Sequence, residues 1–325
     1  MSSMIKHCYT IESDCYIPYH NQAIEEYLLN HVDEESIILY LWQNKQTVVI
    51  GKNQNAYGEC DVTNLEGSGG YLARRISGGG AVYHDLGNMC FTFLVSNENY
   101  DVAKQTEVIL RAVQKLGVEA YRSGRNDLLI DERKFSGHAY YRGKKNSFHH
   151  GTIMVDVNQN ALSRYLNVSP LKLKDKSVPS VRSRVINLRE CLPELTLDEL
   201  KVALYEAFEE VYELKIEEKE LVDFESNEYD ELENKFTSKE WRLGRFEKFD
   251  YSAEEKFDWG LLNLQYNLEN DTISDLVAYS DCLVPENIED FPKKVISHKL
   301  SELNEIKDLN EQEKDALALL ERNTR

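Results

Sequence analysis

The order of apolar patterns along the chain predicts an α+β protein built on a mixed or antiparallel sheet. Three observations carry this. Strand-like runs come in clusters instead of alternating one for one with helices. The helical segments are few and strongly amphipathic. The one glycine-rich stretch sits between two strand-like runs, with neither the GxGxxG spacing nor the helix that a dinucleotide-binding unit requires.

Taken in order, Ala23, Ile24, Tyr27 and Leu28 repeat at helical spacing between Tyr19 and His31. The β-prone runs "SIILYLW" (Ser36–Trp42) and "TVVIG" follow, separated by polar "QNKQ", and read as a hairpin. After "YLARR" and "AVYHD" comes "MCFTFLVS", rich in aromatic and β-branched residues. "DVAKQTEVILRAVQKLG" is an amphipathic helix with Val102, Ile109, Val113 and Leu116 on one face and Gly117 at its stop. Four more strand-like runs follow: "VEAYR", "DLLID", "KFSGHAYY" and "HHGTIMVDV". Thr196 and Glu199 form a capping-box pair that opens a helix lined by Leu197, Leu200, Leu204, Phe208 and Val211. Near Gly244 the texture changes. "WRLGRFEKFDY" reads as a hinge, and beyond it two strands turn at Asn270-Asp271 before a charged helical end. The expected division is a large domain over 1–244 and a small α+β accessory domain over 245–325.

Composition narrows the class of function. The chain has 325 residues, 42% apolar and 29% charged, ordinary for a globular protein. No secretory leader is evident, and no apolar run is long enough to span a bilayer, so the expectation is a cytoplasmic protein with no membrane partner. Six cysteines without CxxC spacing read as reduced thiols. A net charge of −19 argues against nucleic acid as a partner. That average hides a contrast: Arg122 to Arg189 carries +9, leaving −28 for the remainder. A basic middle in an acidic chain points to an anionic ligand, although an uneven solvated surface gives the same count.

The stretch "RRISGGGAVYHD" (Arg74–Asp85) is where chemistry concentrates. Flexible Gly-Ser linkers have polar flanks, whereas these flanks look like sheet. Glycines between strands permit positive φ and let backbone N–H groups converge on an anion, though a tight turn uses the same residues. Arg74 and Arg75 alternate, so one can face a ligand while the other faces away. Farther on come "GRNDLLID", "RKFSGHAYYR", "FHHGTIMVDV" and "KSVPSVRSRVINL". Lys134, in a strand close to Gly137, suits a point charge held against a carboxylate or phosphate. His149 and His150 are adjacent in a strand and point to opposite sides, which disfavours a shared metal. Lys172, Lys174 and Lys176 alternate as a basic loop or a solvated strand.

Taken together, "RRISGGGAVYHDLGN", "GRNDLLID", "KFSGHAYYR", "FHHGT" and "SVRSRV" closely resemble the lipoate–protein ligases of the biotin/lipoate ligase superfamily, over nearly the whole chain. The resemblance implies ATP-dependent activation of lipoate to lipoyl-AMP, followed by transfer to a lysine of an acceptor protein. Expected acceptors are the lipoyl domains of 2-oxo acid dehydrogenase E2 subunits and the glycine-cleavage H protein. It implies that 1–244 is the catalytic domain and that Lys134 is the central catalytic contact. The adenylate would be wrapped by Arg75, Ser77, Gly78, Gly79, Gly80, Ala81, Val82 and Tyr83, a side chain at any of the three glycines colliding with it. Arg74, Asn88, Asn126, Asp127 and His149 are further candidates. Mg²⁺ is expected on the ATP phosphates, with Asn126 or Asp127 as candidate holders. Trp42, Val49 and Ile50 are candidates for the apolar slot, equally readable as core. The sequence departs from the family at the hinge, where Trp241, Gly244 and Phe249 are kept but Glu247 replaces a proline. Two other readings compete: a cysteine-dependent octanoyl or lipoyl transferase, and a non-catalytic lipoate- or nucleotide-binding regulator. No cysteine lies between Cys90 and Cys191, and Lys134 and the glycines are intact.

Overall fold

The computed structural model describes residues 4–123, 127–167, 185–220, 227–245 and 248–324. The candidates Asn126, Lys172, Lys174, Lys176 and Glu247 lie outside the described residues.

The elements that position the site are, in chain order, β1 (His7–Glu12), α1 (Pro18–His31), β2 (Ser36–Trp42), β3 (Thr47–Ile50), β4 (Tyr71–Arg74), β5 (Val82–His84), β6 (Asn88–Ser96), α2 (Val102–Lys115), β7 (Tyr121–Ser123), β8 (Asp127–Ile130), β9 (Arg133–Arg142), β10 (Asn146–Met154), α3 (Leu197–Tyr212), β11 (Ile216–Glu218), α4 (Asn227–Thr237), β12 (Tyr251–Phe257), β13 (Gly260–Glu269), β14 (Thr272–Ser280) and α5 (Glu311–Thr324). They make an eight-stranded mixed sheet in the order β11-β1-β2-β6-β10-β9-β8-β7, a three-stranded sheet β4-β3-β5 and an antiparallel sheet β12-β13-β14. The α+β expectation with mixed and antiparallel sheets is met.

The large sheet has two differently covered faces, because alternate residues on each strand point opposite ways. Leu39, Phe91, Phe93 and Phe135 face α2 and α3, meeting Ile109, Val113, Leu204 and Phe208 in one core. Tyr40, Trp42, Cys90 and Phe148 face α1 and α4, meeting Ile24, Leu28 and Phe236. The Thr196–Glu199 capping box forms as expected: the Thr196 side chain takes the Glu199 N–H, and the Glu199 carboxylate takes the Thr196 N–H.

One expectation fails. Ser36–Trp42 and Thr47–Ile50 are not a hairpin. The first pairs with β1 and β6 in the large sheet, and the second is the centre of the small one, parallel to β4 and antiparallel to β5. The intervening polar segment does turn, with Gln46 at positive φ. Both runs are fully buried, so each is covered on both faces within its own sheet. At the C-terminal end, Asn270 and Asp271 both take positive φ at the tip of β13 and β14, the turn those residues favour. This sheet packs on Phe291, Val295, Leu319 and Leu320 to form a core of its own.

Candidate active site

A cavity of about 180 Å³ lies on the α1 face of the large sheet. Its direction follows from the strand register. Gly137 on β9 is opposite Thr152 on β10, Thr152 opposite Cys90 on β6, and Cys90 opposite Trp42 on β2. With neighbouring strands ~4.8 Å apart, this row spans roughly 14 Å across the sheet. Lys134 and Gly137 line one end, Trp42 and His84 the other. Arg75 and the loop Gly79-Gly80-Ala81 lie along it, with Leu283 beside them.

The position of Lys134 is the work of a bulge. In a regular strand Lys134 and Gly137 point to opposite faces. Here Leu128 pairs with Ser136 and Leu129 with Lys134, so Phe135 is an extra residue. That insertion turns the lysine onto the cavity face while Phe135 fills the opposite core. A Cβ on Gly137 would stand 2.5 Å from Lys134 Nζ, so the glycine makes room for the ammonium. Lys134 Nζ meets Asp127 Oδ1 at 2.8 Å, and both side chains are about one-third exposed. A partly exposed pair of this kind is easily reorganised by an arriving anion.

Arg75 leads into the loop and is buried. Its guanidinium donates to Ser77 Oγ, to the carbonyls of Val49 and Gly80, and twice to that of Gly78. Burial lowers its pKa to about 10, opposed by the nearby Glu25 carboxylate, so it stays cationic at neutral pH. The balancing charge is reached through a chain of buried donors. Ser77 Oγ is 2.8 Å from His150 Nε2, and His150 Nδ1 is 2.8 Å from Glu25 Oε1. From the other side Trp42 Nε1 donates to Thr92 Oγ1 at 3.1 Å, and Thr92 donates to the same Glu25 oxygen at 2.6 Å. One assignment satisfies every link: Arg75 donates to Ser77, Ser77 to His150, and His150 and Thr92 to Glu25. A cation and a carboxylate are thus joined through a fully paired polar chain running beneath the cavity.

The three glycines serve different neighbours. A Cβ on Gly78 would stand 2.2 Å from the Cys282 carbonyl and 2.8 Å from that of Leu283. Gly79 has φ +90°, donates its N–H to the Cys282 carbonyl at 2.9 Å, and would place a Cβ 3.0 Å from Arg75 Nη2. Gly80 has open space before it. The expectation that a ligand explains all three is narrowed: the segment after β14 already requires a glycine at 78, positive φ favours one at 79, and Gly79 and Gly80 are the two that line the cavity. The same segment is fastened elsewhere, by Ser280 N to the Asn53 carbonyl and by Lys52 to Glu289 at 2.7 Å.

The other expected residues divide cleanly. Ala81 and Val82 line the cavity, as do Trp42 and Val49. Ile50 lies instead in the core beside the small sheet. Tyr83 points away, stacked on Tyr165, so only its backbone is near the loop. Arg74 faces away as the alternation requires, donating to the Lys52, Gln54 and Trp241 carbonyls. Asn88 closes a turn against Asp85 and donates to Cys90 Sγ, and does not line the cavity. His149 is also displaced from the site: it is buried on the α2–α3 face, 2.9 Å from His138 Nδ1 and edge-on to Phe91. Its neighbour His150 takes the cavity side.

Sequence reading missed several lining residues, among them Gln22, Glu25, His84, His138 and His150. A signal existed for two of them. Gln22 and Glu25 interrupt the apolar stripe of α1 one turn apart, where a purely structural helix carries apolar residues.

A mixed sheet crossed by a slot, with a lysine at one end and a glycine loop along its side, is an architecture shared with solved lipoate ligases. Residues 17–209 match the lipoyl protein ligase A/B catalytic domain, and 247–314 match the bacterial lipoate protein ligase C-terminus. The chain belongs to the lipoate–protein ligase family and is a ligase. It is 38% identical over 307 residues to lipoate-protein ligase A of Psychrobacter cryohalolentis, covering 88% of this chain and 90% of that one. It is also 38% identical over 292 residues to lipoate-protein ligase A of Blochmanniella floridana, covering 87% and 86%. The crystal structure of P. falciparum LipL1 in complex with lipoate superposes with TM-score 0.81 at 30% identity, over 97% of this chain and 98% of that one. A bipartite lipoate protein ligase from Thermoplasma acidophilum, solved with its E2 lipoyl domain, gives TM-score 0.65 at 27% identity, over 76% and 100%. A lipoate-protein ligase A bound with ATP gives 0.63 at 25%, over 74% and 99%.

Proposed function

We propose that this protein activates lipoate with ATP and passes the lipoyl group to a lysine of a lipoyl-domain acceptor. The observation that carries the reading is the slot that runs across the sheet from Lys134 to Trp42 beside the glycine loop. It takes an acyl tail at the Trp42 end and presents the carboxylate to a fixed cation. In the first step a carboxylate oxygen attacks the α-phosphorus of ATP, and the bond to the bridging oxygen of pyrophosphate breaks. In the second an acceptor amine attacks the acyl carbon and AMP leaves. Lys134 bridges carboxylate and phosphate, exchanging its contact with Asp127 for theirs and stabilising the charge that builds between them. Arg75, held through Ser77, fixes the loop so that the Gly80 and Ala81 backbone lies along the adenylate.

Mg²⁺ accompanies the ATP polyphosphate. Among the described residues no cluster of three His, Cys, Asp or Glu could hold a metal alone. Asp127 with phosphate oxygens fits the habit of this ion, which takes one or two carboxylates and keeps its other sites for substrate and water. Residues 1–244 would act as the catalytic domain and 245–325 as an accessory domain whose Leu283 segment covers the loop. Acceptors would be E2 lipoyl domains or the glycine-cleavage H protein. The setting would be the cytoplasm; among the described residues no helix is long and apolar enough to cross a membrane.

ATP–pyrophosphate exchange that depends on lipoate tests the reading. Exchange without lipoate, or none with it, would overturn it; a thioester transferase or a non-catalytic regulator would give none.

A further inference from the structure

The tail end of the cavity is not purely apolar. Gln22 and His84 line it and are each at least nine-tenths buried. Neither amide atom of Gln22 has a hydrogen-bond partner among the described residues, and neither does His84 Nε2. His84 stands at the Trp42 end, away from Lys134, and Gln22 lies one helical turn from Glu25, which Thr92 joins to Trp42. Asn21 donates to Asn44 Oδ1, Asn44 in turn donates to His84 Nδ1 at 3.2 Å, and the His84 ring stands 6.2 Å from that of Trp42. The Asn44 donor fixes the tautomer, so His84 Nε2 carries the proton and needs an acceptor. Buried polar atoms without partners are costly and rare, and at a ligand cavity they mark where a ligand supplies the missing partner.

We infer that Gln22 and His84 are specificity-determining residues that favour a sulfur-bearing tail over a plain alkyl chain. The inference rests on the proposed activation of lipoate. A dithiolane brings sulfur lone pairs toward the His84 and Gln22 N–H groups. The end of octanoate brings only C–H bonds and leaves those groups buried and unpaired. A site built with polar groups rejects the analogue that lacks their partner more strongly than an apolar pocket rejects a missing methylene.

The test is the ratio of kcat/KM for lipoate to that for octanoate, read by pyrophosphate exchange on the full chain. Wild type should favour lipoate by about tenfold or more. Gln22→Leu should raise kcat/KM for octanoate several-fold without raising it for lipoate, so that the ratio narrows. Gln22→Met, a flexible side chain of similar length, serves if the leucine variant folds poorly. A wild-type ratio near one, or a ratio unchanged in both folded variants, would overturn the inference and leave the ligase reading intact. Exchange with neither acid would sink that reading itself.

Discussion

The two faces of the eight-stranded sheet are built from the same strands yet are finished differently. Toward α2 and α3 the surface is closed by Phe91, Phe93, Phe135 and Phe208, and His149 there bonds to His138, which also borders the slot. Toward α1 the same strands present Trp42, Thr92, His150 and Gly137 around an open slot. Adjacent residues fall on opposite sides of this divide, His149 in the filled face and His150 in the open one. Chiefly aromatic packing closes the first face. The second stays open because a fully paired polar chain from Arg75 to Glu25 replaces the side chains that would otherwise fill it. Such a chain resists collapse, since each member left unpaired in a buried setting costs about 1–3 kcal/mol.

The largest effect is expected at the open face. Lys134→Ala should lower pyrophosphate exchange by about 10²–10³ while the melting temperature holds, since one preorganised charge contact is lost. A folded variant exchanging within a few-fold of wild type would remove Lys134 from the mechanism. Next come the glycines, which separate the loop's two neighbours. In Gly78→Ala the new methyl meets the Cys282 and Leu283 carbonyls, which are backbone and cannot step aside. The C-terminal segment must lift, and adenylate formation should fall on the order of ten- to a hundredfold through misplacement. Transfer from lipoyl-AMP supplied ready-made should persist. Gly80→Ala meets nothing in the free protein, so its stability should be unchanged and its affinity for a non-hydrolysable lipoyl-AMP analogue reduced. Normal affinity there would mean that the backbone does not lie against the adenylate.

The filled face should show itself in acid. Burial lowers His138 to about 3, with Lys134 and other cations adding to it, and His149 falls well below its ordinary value of 6.5 for the same first cause. His84, on the open face, is likewise brought to about 3 by burial and by Arg75. Folded, these rings stay neutral; unfolded, they take up protons below 6.5. The unfolded state then binds more protons, so stability falls as pH drops from 6.5 toward 3 and is flat for these groups above 7. Three such histidines give a slope of up to about 4 kcal/mol per pH unit near pH 5. Replacing His149 by Phe should remove about a third of it, measured by denaturant unfolding between pH 7 and 5. An unchanged slope would mean that His149 is not held neutral in the fold.

Much of this was legible in the sequence, and the failures have a common cause. Local signals were dependable: the Thr196–Glu199 box, the Asn270-Asp271 turn and the alternation of Arg74 with Arg75 all form. What a run pairs with was not local. "SIILYLW" and "TVVIG" carry the period of buried strands but nothing that names their partners, so nearness in sequence stood in wrongly for nearness in space. The site was legible as motifs and not as geometry. "KFSG" marked Lys134, but the bulge at Phe135 that aims it depends on register with β8. "FHHGT" marked a pair of histidines, but which one faces the slot depends on the phase of β10. Gln22 and Glu25 were the most readable of the missed residues, because two buried polar side chains one turn apart on an amphipathic helix have no packing reason to be there.

The smallest effect is expected where a rival chemistry would place the largest. Cys90 sits on the open face, with His84 Nδ1 3.5 Å from its sulfur and Asn88 donating to it at 3.4 Å. A Cys–His–Asn grouping beside an acyl cavity is what a thioester-forming transferase would use. The electrostatics run the other way. A nucleophilic cysteine needs its thiolate stabilised, yet burial pushes the Cys90 thiol well above its ordinary 9.0, with Glu25 adding to the effect. A base must accept a proton near neutral pH, yet His84 is held near 3, and its Nδ1 already accepts the Asn44 donor. The pair therefore stays neutral, and the thiol acts as a small core group beneath the slot. Cys90→Ala should keep lipoate-dependent pyrophosphate exchange and acceptor lipoylation within about threefold of wild type, at a stability cost of about 1 kcal/mol for a small cavity. Loss of acceptor lipoylation in a folded Cys90→Ala protein, with exchange intact, would show that the acyl group passes through the thiol after all, and that the open face holds two active groups where the geometry supports one.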